Sequence, residues 1–191
     1  MALRNSITAA ATCAAIGLAG TSAFAATHSF LFDGPDNQRT IDFGDFTVTA
    51  SSRGWGNWGP DEVTQNADGL GVHGGWFDGQ GGQVDGSGGR ETLTFVFDEE
   101  VTLTEIAFGN FGRRDDYQLS FNGGASSSHD VDPWAGSEVL TSFSVTAVGP
   151  RDRWTIESIS YDVAAVPLPA GGLLLLSGLA GIGFARRRKM A

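Results

Sequence analysis

Apolar and polar residues alternate along most of the middle of this chain. From Thr92 to Asp98 the order TLTFVFD places Leu93, Phe95 and Phe97 on one face, the period of two that a half-buried strand requires. The same alternation predicts strands at HSFLF (28–32), TIDF (40–43), DFTVTA (45–50), YQLSF (117–121), EVLTSFSVTA (138–147) and RWTIESISYD (153–162). In VTLTEIAFG (101–109) the apolar phase shifts between Leu103 and Ile106, which predicts a bulge or a change of face. Turn signals separate the runs: Asp33-Gly34-Pro35, Asp68-Gly69, Asp98-Glu99-Glu100 and Asn122-Gly123-Gly124. No part of this region carries a helical period. The pattern predicts an all-β body, an antiparallel β-sandwich of jelly-roll-like type, over residues 26–162.

Two segments break the alternation, one at each end. Residues 1–25 open with Arg4, continue through an uncharged alanine-rich stretch and close on Ala23-Phe24-Ala25. A basic start, an apolar middle and small residues at Ala23 and Ala25 have the form of a secretory signal peptide, cut after Ala25 by signal peptidase. At the other end, residues 163–191 hold two closely spaced prolines, an apolar run from Ala170 to Ala185, and then Arg186, Arg187, Arg188 and Lys189. A helix over 170–185 would be about 24 Å long, a short membrane anchor. Pro167 and Pro169 keep its entrance extended. The basic cluster stays cytoplasmic as a stop-transfer signal, which places the body outside.

Val166-Pro167-Leu168-Pro169-Ala170, the glycine-rich apolar helix and the terminal basic cluster together resemble the VPLPA variant of the PEP-CTERM sorting signal, with Leu168 where the wider family has Glu. The resemblance covers about 26 residues. It implies a Gram-negative envelope protein processed by an exosortase. The precursor would be held in the inner membrane, and the product would reach the cell surface or the extracellular matrix. It also implies an association with exopolysaccharide or biofilm. The Gram-positive sortase signal competes at Leu168-Pro169-Ala170-Gly171-Gly172, but Gly171 stands where that motif needs Thr.

Charge and cysteine narrow the function. All 22 acidic residues lie between Asp33 and Asp162 with seven arginines, a net −15, which excludes a nucleic-acid partner. The only cysteine, Cys13, falls within the leader, so the exported chain has no disulfide and no thiolate ligand.

Candidate chemistry is sparse. Gly54/Gly56/Gly59 and Gly69/Gly71/Gly74 match G-x-G-x-x-G, but neither opens a helix in a βαβ unit, and 28 glycines make such matches by chance. His28, His73 and His129 show no ligand spacing. Asp115, Asp116, Asp130 and Asp132 are the candidate calcium ligands, hard oxygens in turn positions, and turn chemistry alone is the competing explanation. Trp55, Trp58 and Trp76 lie in the glycine-dense segment 53–90 and are the candidate carbohydrate platform, against a role as plugs of the sandwich ends. Trp154 belongs to the core. No catalytic residue is assigned. The reading is a non-enzymatic exported protein with a structural or interaction role; the alternatives are a carbohydrate-binding module and a polysaccharide-active glycosidase or lyase.

Overall fold

The computed structural model of the chain describes residues 26–53, 60–74 and 82–164, all within one compact unit. Every element among them is a strand, and every pairing is antiparallel. In chain order the strands are β1 (Ala26–Leu31), β2 (Asp36–Gln38), β3 (Thr40–Asp42), β4 (Phe46–Arg53), β5 (Glu62–Asn66), β6 (Gly69–His73), β7 (Val84–Asp85), β8 (Arg90–Gly109), β9 (Tyr117–Phe121), β10 (Ser127–His129), β11 (Trp134–Ala147) and β12 (Arg153–Val163). The predicted leader (1–25) and the sorting signal with its helix and basic tail (166–191) lie outside the described residues, as do Trp55, Trp58 and Trp76.

β8 organises the sheet. Its first half pairs with β4, from Phe46↔Phe97 to Arg53↔Arg90, and its second half pairs with β12, from Val163↔Val101 to Thr155↔Gly109. β11 runs along its other edge throughout. The turn predicted at Asp98-Glu99-Glu100 is therefore not a reversal. The chain continues as one strand, and the acidic triplet is an irregularity: β11 advances from Leu140 to Ser142 while β8 advances from Val101 back to Val96. Three adjacent carboxylates cannot face the core, and all three are exposed here. The amide of Asp98 donates to the carbonyl of Asp45 at 3.1 Å, which ties the irregularity to the start of β4.

The phase shift read between Leu103 and Ile106 is a bulge. Ser160 pairs with Glu105 and the next residue, Tyr161, pairs with Leu103, so Thr104 is the extra residue. Its hydroxyl donates to the carbonyl of Ser160 at 3.0 Å. Leu103 and Ile106 both point inward as a result, each fully buried.

Five strands carry no clear alternation and were not expected as such or only as fragments: β2, β5, β6, β7 and β10. The β5–β6 hairpin turns at Ala67-Asp68 and enters the sheet through Leu70↔Ile156. Part of the glycine-dense region is thus ordinary sheet. Gly71 is buried inside it because a Cβ there would collide with the carbonyl of Gly82.

The core has two aromatic centres. Phe32, Phe43, Phe46, Phe95, Phe97, Phe143 and Tyr161 form one, with Phe95 and Phe143 stacked at 4.4 Å across β8 and β11. Phe108, Tyr117 and Trp154 form the other, with Trp154 edge-on to Phe108 at 5.3 Å and to Tyr117 at 6.2 Å. Trp154 is fully buried, as expected. Trp134 opens β11 and is also buried, with Phe121 packed on it at 5.6 Å.

Candidate functional site

Among the described residues a concave site lies where β1, β12 and β8 meet the start of β4. His28, Asp45, Asp98, Glu99, Val101, Tyr161 and Val163 line a depression of about 370 Å³. Strand pairing assembles it: His28 lies opposite Tyr161, and Val163 opposite Val101. The His28 ring stacks on Tyr161 with centroids 5.4 Å apart and planes 11° from parallel. Tyr161 donates its hydroxyl to Asp45 Oδ2 at 3.0 Å, and His28 Nδ1 lies 3.9 Å from the same oxygen. Asp45, Asp98 and Glu99 make the mouth negative, so a positively charged group would be favoured there. In the sequence His28 shows no ligand spacing. Its partners lie 17 and 133 residues further along the chain, and no local signal links them.

Burial, then the hydrogen bond and charge of Asp45, push the Tyr161 phenol up to about 12. Burial, then the charges of Asp132 and Asp130, raise Tyr117 still more strongly, and its hydroxyl donates to the carbonyl of Val131 at 2.8 Å. These are the only two tyrosines of the chain. In both, the fold favours the neutral phenol over the unfolded value of about 10. Their contribution to stability is therefore complete below about pH 10 and is lost as the pH rises through the folded values. In an alkaline titration the native protein should show no tyrosinate absorbance near pH 10, whereas the denatured chain ionises there. A native transition near 10 would contradict the burial of both rings.

Of the four candidate calcium aspartates, Asp115 and Asp132 accept backbone amides. Asp115 accepts the amides of Gly112 at 2.6 Å and Arg153 at 3.4 Å, and Asp132 accepts the amide of Phe108 at 2.9 Å. Asp116 lies beside buried Asp152, which accepts the amides of Asp116 at 3.4 Å, Val148 at 3.1 Å and Gly149. Burial first, then the hydrogen bond and charge of Asp152, then the charges of Asp115 and Asp130, hold the Asp116 carboxyl above its ordinary range. Among the described residues no group of three or more His, Cys, Asp or Glu is placed to hold a metal ion. Turn and strand-end capping accounts for Asp115 and Asp132.

The remaining histidines are separate from the depression. His129 stacks on Tyr117 at 5.6 Å and shares a 2.8 Å hydrogen bond with Ser127, and His73 ends β6 in an exposed position.

Ser52 and Gly74, which precede the tryptophans in the chain, lie close together. Ser52, just before residues 54–59, donates both its amide and its hydroxyl to Asp61, at 2.9 and 2.6 Å. Gly74, just before residues 75–81, faces Ser52 and Glu91; a Cβ on it would lie 3.5 Å from the Ser52 hydroxyl. Ser52 and Gly74 are thus neighbours in the fold.

Among the described residues no helix is long and apolar enough to cross a membrane. No family model, no curated protein and no solved structure matches the chain.

Proposed function

We propose that this chain is an exported envelope or extracellular-matrix protein of the exosortase-sorted type, with a structural or interaction role. Its body is a jelly-roll-like sandwich in which β8 passes from one layer to the other. The observation that carries the reading is the pairing that closes the described body beside both expected processing signals. Ala26, the residue after the expected leader cut, pairs with Val163, three residues before the Val166-Pro167-Leu168-Pro169-Ala170 motif. Thr27 donates its hydroxyl to Asp162 at 2.6 Å beside that pair. Neither expected processing signal overlaps a described strand. The sandwich reading rests on rings from β4 and β12, which do not pair with each other, meeting inside: Phe46 of β4 lies 6.1 Å from Tyr161 of β12.

In the producing cell the chain should appear first as a membrane-bound precursor and then as a shorter product whose N-terminus is Ala26. Replacing Pro167 and Pro169 by alanine lets the anchor helix extend through the motif, so the precursor should accumulate. Fractionation with intact-mass measurement checks both points. A mature chain that keeps residues 1–25, or normal maturation of the double variant, would overturn the proposal.

A second reading, a carbohydrate-binding module on the same scaffold, is supported by the closeness of Ser52 and Gly74, described residues that precede Trp55, Trp58 and Trp76 in the chain. Indole rings offer the kind of apolar face on which sugar rings stack.

A further inference from the structure

The first half of β8 lies in the middle of five consecutive strands, β3, β4, β8, β11 and β9. Their outward residues fall into cross-strand rows. One row is Thr40, Thr49, Thr94, Ser144 and Ser120, one residue from each strand in direct register. The next is Ser51, Thr92, Thr146 and Gln118, continued onto β10 by Ser128. Within it Thr92 and Thr146 share a 2.8 Å hydrogen bond. A third, shorter row brings Thr47 and Ser142 to either side of Val96, which is 45% exposed although it lies on a central strand. No charged residue interrupts the first two rows. Charge returns only at the borders, at Asp42 on one side and at the Arg53–Arg90 pair on the other. The contrast with the second half of β8 is clear, because there Glu105 and Asp162 occupy the outward rows.

We propose that this hydroxyl face binds an uncharged polysaccharide laid across the strands. The inference rests on the reading that the body works outside the cell, and adds to it a surface and a partner class. Charge complementarity carries the choice. A body of net −15 with one neutral, hydroxyl-covered face repels polyanions, and its carboxylates draw polycations elsewhere. A neutral polyol alone meets that face without an electrostatic penalty. Geometry supports it. Rows cross the sheet at the strand spacing of roughly 4.8 Å, close to the length of one pyranose unit in an extended glycan. Each sugar can therefore meet one Thr or Ser hydroxyl, as donor or acceptor, beside the threonine methyl groups.

The test uses the full-length chain in detergent and insoluble neutral glucans, cellulose and a β-1,3-glucan, with alginate as the anionic control. The wild type should be retained on at least one neutral glucan, equally at low and high salt, and not on alginate. The double variant Thr94→Val, Ser144→Ala removes two hydroxyls from the central row without disturbing strand propensity or the core. Its melting temperature should match the wild type while its affinity falls about tenfold, the scale of two modest hydrogen bonds. Thr94→Ser should restore most of the binding. An exported, processed chain that binds no neutral glucan overturns the surface and leaves the export reading standing. Binding by a chain that is never exported does the reverse. Undiminished retention in the double variant, or loss only on changing Trp58 or Trp76, also overturns the hydroxyl face. So does a protein that shapes ice crystals and ignores every glucan.

Discussion

Replacing Trp154 by alanine should destabilise the body by about 4 kcal/mol, near the upper end for a single core truncation. Trp154 is fully buried between β12 and β9, and its indole NH donates to the carbonyl of Asp116 at 3.3 Å. It lies edge-on to Phe108 and Tyr117. Removing it leaves a cavity that the rigid strand backbones around it cannot close, and leaves the Asp116 carbonyl short of a donor. Thermal unfolding should shift down by more than about 10 °C for a domain of this size. Trp154→Phe keeps most of the apolar volume and should cost about half as much. A shift of only a few degrees for Trp154→Ala would mean that this aromatic centre does not hold the two strands together.

A change at Gly69 should be nearly as severe through the backbone. Gly69 has φ +118, a conformation that side chains rarely adopt, and a Cβ there would collide with the carbonyl of Ile156 while lying 3.1 Å from the Glu157 Cα. The next residue, Leu70, is fully buried and makes the pair with Ile156 that joins the β5–β6 hairpin to β12. Gly69→Ala should cost about 3 kcal/mol or more, since strain and collision act together and neither neighbour is a movable side chain. Amide exchange at Leu70 and Gly71 should accelerate along with the loss of stability. Gly44→Ala is the control. Its φ is +92 but nothing lies within 4 Å of the new methyl, so it should cost only about 1 kcal/mol. Equal losses at the two sites would show that conformational strain alone, without close approach, sets the effect.

The binding chemistry was less legible than the fold. The alternation that reveals YQLSF as a strand also shows that Gln118 and Ser120 face outward. It does not show that Ser120 will stand beside Ser144, Thr94 and Thr49. That row exists only once four segments pair in a single register. The depression around Tyr161 is the same case, because His28 on β1 and Asp45 just before β4 reach it from far away in the chain. The aspartates were visible as turn residues, and their capping of amides on other segments needed the assembled sheet.

By itself the sequence determined the all-β character, the position of most long strands, the bulge before Ile106 and the burial of Trp154. These depend on which side of a strand a residue occupies, and a period of two states that directly. Only the tertiary structure decided that Asp98, Glu99 and Glu100 interrupt a strand rather than end it, because β11 continues past them on the neighbouring edge. It also decided that Gly69–His73 is a strand: its glycines give no pattern, and the approach of the Gly82 and Ile156 carbonyls makes them necessary. Such features depend on contacts between segments tens of residues apart. Local pattern limits which faces meet, and packing selects which strands do.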